Sequence, residues 1–286
     1  MIKQRPICRY HGGKFKQAVD IISLFPPHKI YVEPYCGVAS VLLQKKPAYA
    51  EVINDLDSNI YNLFSIMQDD RIRKLCQILE TTLYSREAFE NAVAASRRPN
   101  KPEYQIRNVA NFIIRNQMSF SPTPRAGFRA DTKREYSIPS HDWVAVSDIL
   151  KSYIDRLKGV VIENKDAVEV ISAHDTNQTL FYLDPPYLPD TRGGSSSYRF
   201  DYLLRDHKEL LAAVTKLQGM VVLSGYKSDL YQSILEPIGW QRIDKQVFAD
   251  GNQRRVECLW LNPLCQANQQ QTDLFTSNLT KETAHV

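Results

Sequence analysis

The sequence lacks the features that mark secreted, membrane-spanning and metal-binding proteins. No apolar run is long enough to span a bilayer, and the first six residues contain no signal-peptide stretch. The five cysteines are scattered and form no CxxC pair, which favours neither a disulfide framework nor a zinc site. These cysteines are Cys8, Cys36, Cys76, Cys258 and Cys265. We therefore expect a cytoplasmic protein with reduced thiols and no bound metal.

Strong net charge is also missing, because 36 basic residues oppose 32 acidic ones in a chain of 286 residues. The basic excess is concentrated in residues 97–134, which carry nine basic and two acidic residues, or +7 against −3 for the remainder. Such a segment is typical of contact with a phosphate backbone, although a solvated helical face has the same composition. Amides, hydroxyls and aromatic rings among these arginines favour nucleic acid as the partner.

Short apolar runs alternate with helical patterns along the chain and predict an α/β fold built from βαβ units. Because the apolar strands lie between helices, we expect a mostly parallel sheet covered on both faces, with a hairpin as its antiparallel edge. The strands are predicted at residues 29–33, 50–55, 159–163, 179–183 and 219–223, the hairpin at 240–248 and 256–261, and two helices at 38–45 and 206–217.

About a hundred residues of helical character separate the second and third strands. Connections within βαβ units are normally short, so this segment is interpreted as an inserted subdomain. Its helices are predicted at residues 59–67, 72–82, 87–96 and 105–116. We therefore divide the chain into a sheet domain (residues 1–60 and 159–265), a helical insertion (61–158) and a polar tail (266–286) that we expect to be disordered.

The most specific motif is Asp184-Pro185-Pro186-Tyr187, which directly follows the fourth predicted strand. Ligands of open α/β sheets bind at the carboxyl ends of the strands. Two consecutive prolines remove two amide donors, which leaves the carbonyl groups of Asp184 and Pro185 as acceptors beside a carboxylate. Acceptors in this arrangement suit an exocyclic amino group, and Tyr187 offers a ring for stacking. A rigid polar turn without function is the alternative interpretation.

Three further motifs lie near the first two strands. Glu33-Pro34-Tyr35-Cys36-Gly37 forms a strand–helix junction with small neighbours, but it is not a GxGxxG fingerprint. Asn54-Asp55 ends the second strand, where an acidic residue usually accepts ribose hydroxyls or caps a helix. Tyr10-His11-Gly12-Gly13-Lys14 combines glycines that allow close approach with a lysine that can meet a carboxylate.

These four motifs, in their order along the chain, resemble those of the alpha-class, Dam-like DNA adenine-N6 methyltransferases, and phage-type members in particular. The resemblance covers residues 5–263 and implies a Rossmann-like methyltransferase sheet that binds S-adenosyl-L-methionine. It implies that Tyr10, Lys14, Asp55 and Asp184 contact this cofactor, with Glu33, Pro34 and Gly37 beside its methionine and ribose parts. The inserted helices would form the DNA-recognition subdomain.

The resemblance also implies a mechanism. Adenine is flipped out of double-stranded DNA into the pocket, because a stacked base cannot reach the methyl group. The catalytic loop is Asp184, Pro185, Pro186 and Tyr187, whose acceptors bind the amino hydrogens during direct methyl transfer without a metal. Two rival interpretations stay open: an RNA or protein methyltransferase, and an inactive DNA-binding protein on the same scaffold.

The recognition hairpin of the family corresponds to residues 116–120 and 127–129. The predicted DNA-binding residues are Arg115, Asn116, Ser119, Phe120, Arg125, Arg129, Lys133 and Arg134. Residues 121–125 read Ser-Pro-Thr-Pro-Arg, which departs from the turn of GATC-specific members. The recognition sequence, relaxed or unrelated to GATC, therefore stays open, and we expect a monomer encoded by a bacterium, a phage or a prophage.

The tail contains Gln271-Thr272-Asp273-Leu274-Phe275, which resembles the pentapeptide that docks bacterial proteins on the DNA polymerase sliding clamp. Leu274 and Phe275 would enter an apolar pocket, with Gln271 as a polar anchor. A chance pentapeptide in a glutamine-rich tail is the alternative. The sequence thus predicts double-stranded DNA and a sliding clamp as partners.

Overall fold

A computed structural model of the chain describes residues 5–96, 102–121, 126–133, 138–188, 200–249 and 253–269. Within these residues, seven strands form one sheet in the order β3-β2-β1-β4-β5-β7-β6. The strands are β1 (Ile30–Glu33), β2 (Ala50–Asn54), β3 (Val160–Glu163), β4 (Thr179–Leu183), β5 (Met220–Tyr226), β6 (Gln241–Ala249) and β7 (Gln253–Leu261).

Parallel pairing joins β3, β2, β1, β4 and β5, whereas β7 pairs antiparallel with both β5 and β6. The predicted α/β fold with an antiparallel hairpin at the edge is confirmed. Strand β4 is buried along its whole length, as expected for an apolar strand with both faces covered. The chain order reverses between β1 and β4, so the carboxyl ends of these two strands mark the place where ligands of such sheets bind.

Helices cover the sheet and build the insertion. The insertion contains α2 (Ser58–Met67), α3 (Arg71–Glu80), α4 (Arg86–Ala95), α5 (Gln105–Met118), α6 (Pro139–Val144), α7 (Val146–Ser152) and α8 (Ile154–Leu157). The remaining helices are α1 (Ala18–Ile22), α9 (Ala167–Ala173), α10 (Leu204–Val214) and α11 (Asp229–Leu235). Side chains of Asp57, Ser85, Asp166 and Ser228 cap the amino ends of α2, α4, α9 and α11. No helix of the described segments is long and apolar enough to cross a membrane.

The predicted helix at residues 38–45 is wrong. This segment consists of successive turns. Both Gly37 and Ala39 have positive φ angles, of 47° and 51°, which a right-handed helix does not allow. The amide of Leu42 donates to the carboxylate of Glu33, at 3.1 Å, so it makes a bond outside the backbone pattern of a helix.

Two predicted boundaries fall inside helices. The division at residue 60 lies within α2, which begins at Ser58 and belongs to the insertion. The tail was expected from residue 266, but residues 263–269 are helical. The side-chain amide of Gln266 donates to the carbonyls of Gly239 and Leu261, and that of Gln269 donates to the carbonyl of Leu24. The sheet domain therefore extends to residue 269.

The insertion shares a core with one face of the sheet. Buried side chains of α2, α3, α5 and α7 form one continuous apolar cluster with those of β1, β4 and β5. A buried charge cluster adds to this interface: Glu51 of β2 accepts hydrogen bonds from Lys45 at 2.6 Å and from Arg156 of α8 at 2.6 Å. Removing one partner of such a cluster would leave a buried charge uncompensated. The insertion is therefore fixed to the sheet rather than attached through a loose linker.

Candidate active site

A cleft of about 890 Å³, including its open mouth, lies at the carboxyl ends of β1, β2, β3 and β4. It brings together Tyr10, Lys14, Glu33, Pro34, Gly37, Asp55, Asp184 and Pro186, all of them predicted site residues. The four sequence motifs thus meet in one place, as the carboxyl-end rule for parallel strands implies.

The floor of the cleft is the junction between β1 and β2. The two carboxylate oxygens of Asp55 accept hydrogen bonds from the amides of Gly37, at 2.9 Å, and Asp57, at 2.8 Å. Burial raises the pKa of Asp55 to about 7. A Cβ atom at Gly37 would lie 2.9 Å from the ring of Tyr10, so only glycine lets this ring pack against the backbone. Tyr10, Gly37 and Asp55 therefore form one surface.

Glu33 lies at the end of β1 and is 2% exposed. Its carboxylate accepts hydrogen bonds from the Tyr31 hydroxyl, at 2.9 Å, and from the Leu42 amide. Burial raises the pKa of Glu33 to about 8, and the nearby charge of Asp184 acts in the same direction. A carboxyl group in this environment stays protonated at neutral pH.

The side chain of Asn54, at the end of β2, links the segments that follow β1 and β3 beside the cleft. It donates to the carbonyls of Pro34, at 2.9 Å, and Lys165, at 3.1 Å, and accepts from the amide of Lys165 at 2.9 Å. This contact brings Lys165 and Asp166, which follow β3, into the cleft wall. Sequence analysis missed both residues, although their place after a strand end was the signal that could have found them.

Asp184, at the end of β4, lies in a buried charge cluster with Lys14 and Glu257. The Lys14 ammonium is 2.8 Å from Asp184 Oδ2 and 3.3 Å from Glu257 Oε1. Burial raises the pKa of Asp184; the Lys14 charge opposes this shift, and the Glu257 charge adds to it. Asp184 Oδ1 is buried and accepts no hydrogen bond from the described residues. One acceptor is therefore left for a ligand.

Tyr187 is held within this cluster. Its hydroxyl donates to Glu257, the Lys14 ammonium lies 4.9 Å from its ring centre, and the Tyr226 ring packs against it at 4.6 Å and 70°. The side chain is 8% exposed. The expected stacking surface is therefore covered in this conformation. Glu257 is not among the predicted site residues, although residues 255–260 also resemble a later element of the family, because the sequence alone does not indicate which distant side chains it contacts.

The predicted recognition hairpin has antiparallel geometry at its base. Ser119 and Phe128 form an isolated β-bridge, the Phe120 amide donates to the Gly127 carbonyl, and the Arg129 amide donates to the Met118 carbonyl, both at 2.8 Å. Arg125 and Arg134 lie outside the described residues. Residues 118–120 and 127–129 are thus paired, as the predicted hairpin requires.

The predicted DNA-binding residues of this hairpin differ in exposure. Phe120 is 69% exposed and Lys133 is exposed, so both present side chains to solvent. The Arg115 guanidinium lies 5.9 Å from the Phe112 ring, and Arg129 is buried. Asn116 and Ser119 are 5% and 2% exposed. α5 and the β-bridge turn both side chains inward in this conformation, and their role as direct DNA contacts stays a prediction.

Arg9 is a further residue that was not predicted from the sequence. Its guanidinium donates to the carbonyls of Ser119 and Phe120, the latter at 3.0 Å, and its amide donates to the side chain of Gln117 at 3.2 Å. Arg9 directly precedes Tyr10 of the cleft. A lone arginine next to a motif gave no indication that it would hold the hairpin from a distance of 110 residues in sequence.

The site and the sheet define an α/β protein with a ligand cleft at the switch point of a mostly parallel sheet. The family model described as D12 class N6 adenine-specific DNA methyltransferase matches residues 10–247. The chain therefore belongs to this family. No group of three or more His, Cys, Asp or Glu side chains among the described residues is arranged to hold a metal ion.

Several curated proteins are similar to this chain. The DNA N-6-adenine-methyltransferase of Escherichia phage P1 is 22% identical over 216 residues, which are 74% of this chain and 28% of the phage protein. The DNA adenine methylase of Haemophilus influenzae is 22% identical over 201 residues, 66% of this chain and 65% of that protein. The type II methyltransferase M1.LlaDCHI of Lactococcus lactis subsp. cremoris is 21% identical over 262 residues, 85% and 88% of the two chains. The chain thus spans less than two thirds of the first two relatives and most of the third.

The raised pKa of Glu33 makes the free energy of unfolding depend on pH. The folded protein holds this proton up to about pH 8, whereas the unfolded chain releases it near its ordinary pKa of 4.5. Stability from this group is therefore complete below pH 4.5 and is lost as pH rises through 8. We expect Glu33→Gln to reduce the fall in unfolding free energy between pH 5 and pH 9, as measured by urea titration.

The control is Glu90→Gln, which neutralises an exposed carboxyl group on α4. It should leave the pH dependence of the wild type unchanged. Equal pH dependence in Glu33→Gln and the wild type would contradict the assigned proton.

Proposed function

We propose that this protein is an S-adenosyl-L-methionine-dependent DNA adenine-N6 methyltransferase that acts on a flipped-out adenine in double-stranded DNA. The observation that carries the proposal is the buried Oδ1 atom of Asp184, which has no hydrogen-bond partner among the described residues and lies at a Pro-Pro turn that opens on the cleft. Family membership and the DNA adenine methylase relatives support it. An RNA or protein substrate has no comparable support.

The residues at the cleft floor fit the proposed cofactor. Gly37 leaves the backbone accessible, Tyr10 supplies a ring, and the Asp55 carboxylate lies where ribose hydroxyls are usually accepted. Glu33 and Pro34 line the same wall. When bound, S-adenosyl-L-methionine supplies an electrophilic methyl group on a sulfonium. Protonated Glu33 keeps this wall neutral, and Lys14 holds Asp184 towards the cleft at 2.8 Å.

The amino nitrogen of adenine is a weak nucleophile, because its lone pair is delocalised into the ring. Asp184 Oδ1 and the Pro185 carbonyl offer two acceptors for the two amino hydrogens, which returns electron density to the nitrogen. Pro186 has no amide donor that could occupy these acceptors. Glu257 and Tyr226 hold Tyr187 in the loop that carries these acceptors. Proximity and orientation then supply much of the rate.

Removing the side-chain acceptor tests this assignment. We expect Asp184→Ala to lower the single-turnover rate of methyl transfer to duplex DNA by about 100-fold or more, because an oriented acceptor is lost. The measurement uses labelled cofactor with duplex DNA, ribosomal RNA and protein as parallel substrates. Single-molecule sequencing of the methylated DNA reports the modified base and its sequence context.

The matched control is Asp155→Ala, since Asp155 lies in an exposed ion pair with Lys158. It should methylate DNA at the wild-type rate. Methyl transfer to adenine by Asp184→Ala at the wild-type rate would overturn the catalytic assignment, and transfer to RNA or protein alone would overturn the substrate.

The DNA interface is proposed on the face that carries Phe120 and Lys133. Arg115 lies in the last turn of α5, just before the hairpin, and Arg129 lies in its second segment, where it is buried. The sequence assigns Arg125 and Arg134 to this region as well. The exposed ring of Phe120 suits contact with bases, and the cations suit phosphates. Arg9 supports this interface from beneath, through the carbonyls of Ser119 and Phe120.

Salt titration separates phosphate contacts from other effects. We expect Lys133→Ala to weaken duplex binding and to reduce the slope of log K against log salt by about one, because one phosphate contact is lost. The control is Lys208→Ala, an exposed lysine on α10 of the sheet domain, which should leave the slope unchanged. Equal slopes for Lys133→Ala and the wild type would exclude Lys133 from the interface.

The tail segment Gln271–Phe275 lies outside the described residues. We propose that it docks on a sliding clamp, through the two apolar side chains that its sequence offers. A peptide of residues 269–276 should bind a bacterial clamp in a fluorescence-polarisation assay, and the double substitution Leu274→Ala and Phe275→Ala should abolish binding. Absence of binding by the unsubstituted peptide would exclude the clamp as a partner.

A further inference from the structure

We propose that Glu257 is a positioning residue for methyl transfer, which fixes the Tyr187 hydroxyl and the Lys14 ammonium so that the Asp184 carboxylate is correctly placed for the amino group of adenine. The proposal rests on the proposed function. It assigns a role to a strand residue of the edge hairpin, far from the four motifs in sequence.

The position of Glu257 is rigid. It lies on β7, opposite Tyr226 of β5 and Lys245 of β6, so its backbone is paired on both sides. The side chain is 6% exposed. Groups carried on strands are held more accurately than groups carried on loops. Glu257 is therefore a fixed hydrogen-bond acceptor for the loop that follows β4.

The position of the Tyr187 side chain depends on Glu257. The loop from residue 184 to residue 188 has no regular secondary structure. At its hydroxyl end Tyr187 donates to Glu257, and along its ring it contacts Tyr226. Loss of the Glu257 carboxylate would remove this acceptor and leave Asp184 as the remaining side-chain partner of the Tyr187 hydroxyl, so the ring would lose one of these two supports.

Glu257 also changes the charge around Asp184. Five groups face Asp184: Lys14 from the loop before α1, Glu257 from β7, Tyr187 from its own loop, Tyr182 from β4 and Glu33 from β1. The two carboxylates of Asp184 and Glu257 share the one ammonium of Lys14. Because the negative charge of Glu257 raises the pKa of Asp184, neutralising Glu257 lowers that pKa.

A double-mutant cycle tests the link to Tyr187. We expect Glu257→Ala to lower the single-turnover rate by about tenfold, with cofactor affinity within about twofold of the wild type. In a Tyr187→Phe background, which keeps the ring and removes the hydroxyl, the same substitution should have a smaller effect. Thermal unfolding of each variant reports whether it is folded at the assay temperature.

The isosteric variant Glu257→Gln keeps the test decisive if Glu257→Ala does not fold. It retains an acceptor for the Tyr187 hydroxyl and removes only the charge. We expect it to retain more activity than Glu257→Ala and to shift the acidic limb of the rate profile to lower pH, which a purely structural role would not do. Asp244→Asn, which neutralises a half-exposed carboxylate on the adjacent β6, should leave this limb in place.

The outcomes separate the two proposals. Wild-type protein that transfers no methyl group to adenine in DNA overturns the proposed function and this inference with it. If the wild type is active, additive effects of Glu257→Ala and Tyr187→Phe, or an acidic limb unmoved in Glu257→Gln, overturn the inference alone. Wild-type rates in both Glu257 variants do the same.

Discussion

The buried ammonium group of Lys14 is the constraint on which the candidate site depends. It joins the loop before α1 to the end of β4 and to β7, two strands that are separated in the sheet by β5. A buried cation is tolerated only when it is paired, so the two carboxylates and the lysine require one another. Their mutual arrangement orients Asp184, and through Glu257 it also reaches Tyr187. A site built from three distant parts of the sequence is thereby held as one unit.

Three carboxyl groups at the carboxyl ends of adjacent strands have raised pKa values: Glu33, Asp55 and Asp184. Burial is the largest cause in each case. Burying acidic groups so close together lowers stability unless each group is bound or protonated. Proteins retain such arrangements where the groups serve a ligand, which is why perturbed carboxyl groups in a cleft indicate a functional site. Asp184 Oδ1, which no described residue hydrogen bonds, is the part of this arrangement that a ligand would complete.

The sequence predicted the parts of this structure that depend on local patterns. Apolar strands predicted the parallel sheet, and the rule that ligands bind at strand ends brought Asp55 and Asp184 to one cleft. Prediction from the sequence failed where a contact between distant residues decides the conformation. A carboxylate from β1 takes the amide of Leu42, so residues 38–45 form turns instead of a helix. The contacts of Glu257 with Lys14 and Tyr187 likewise follow only from the placement of the hairpin beside β5.

The short stretch from Arg9 to Lys14 connects the three parts of the proposed enzyme. Arg9 holds the carbonyls at the base of the recognition hairpin, Tyr10 packs against Gly37 on the cofactor side, and Lys14 binds Asp184 on the catalytic side. Six residues span at most about 20 Å, so the three sites cannot move apart independently. Hydrogen bonds, close packing and an ion pair therefore link the base of the hairpin to both sides of the cleft through this one segment. The segment that precedes the sheet is thus a structural part of the candidate site.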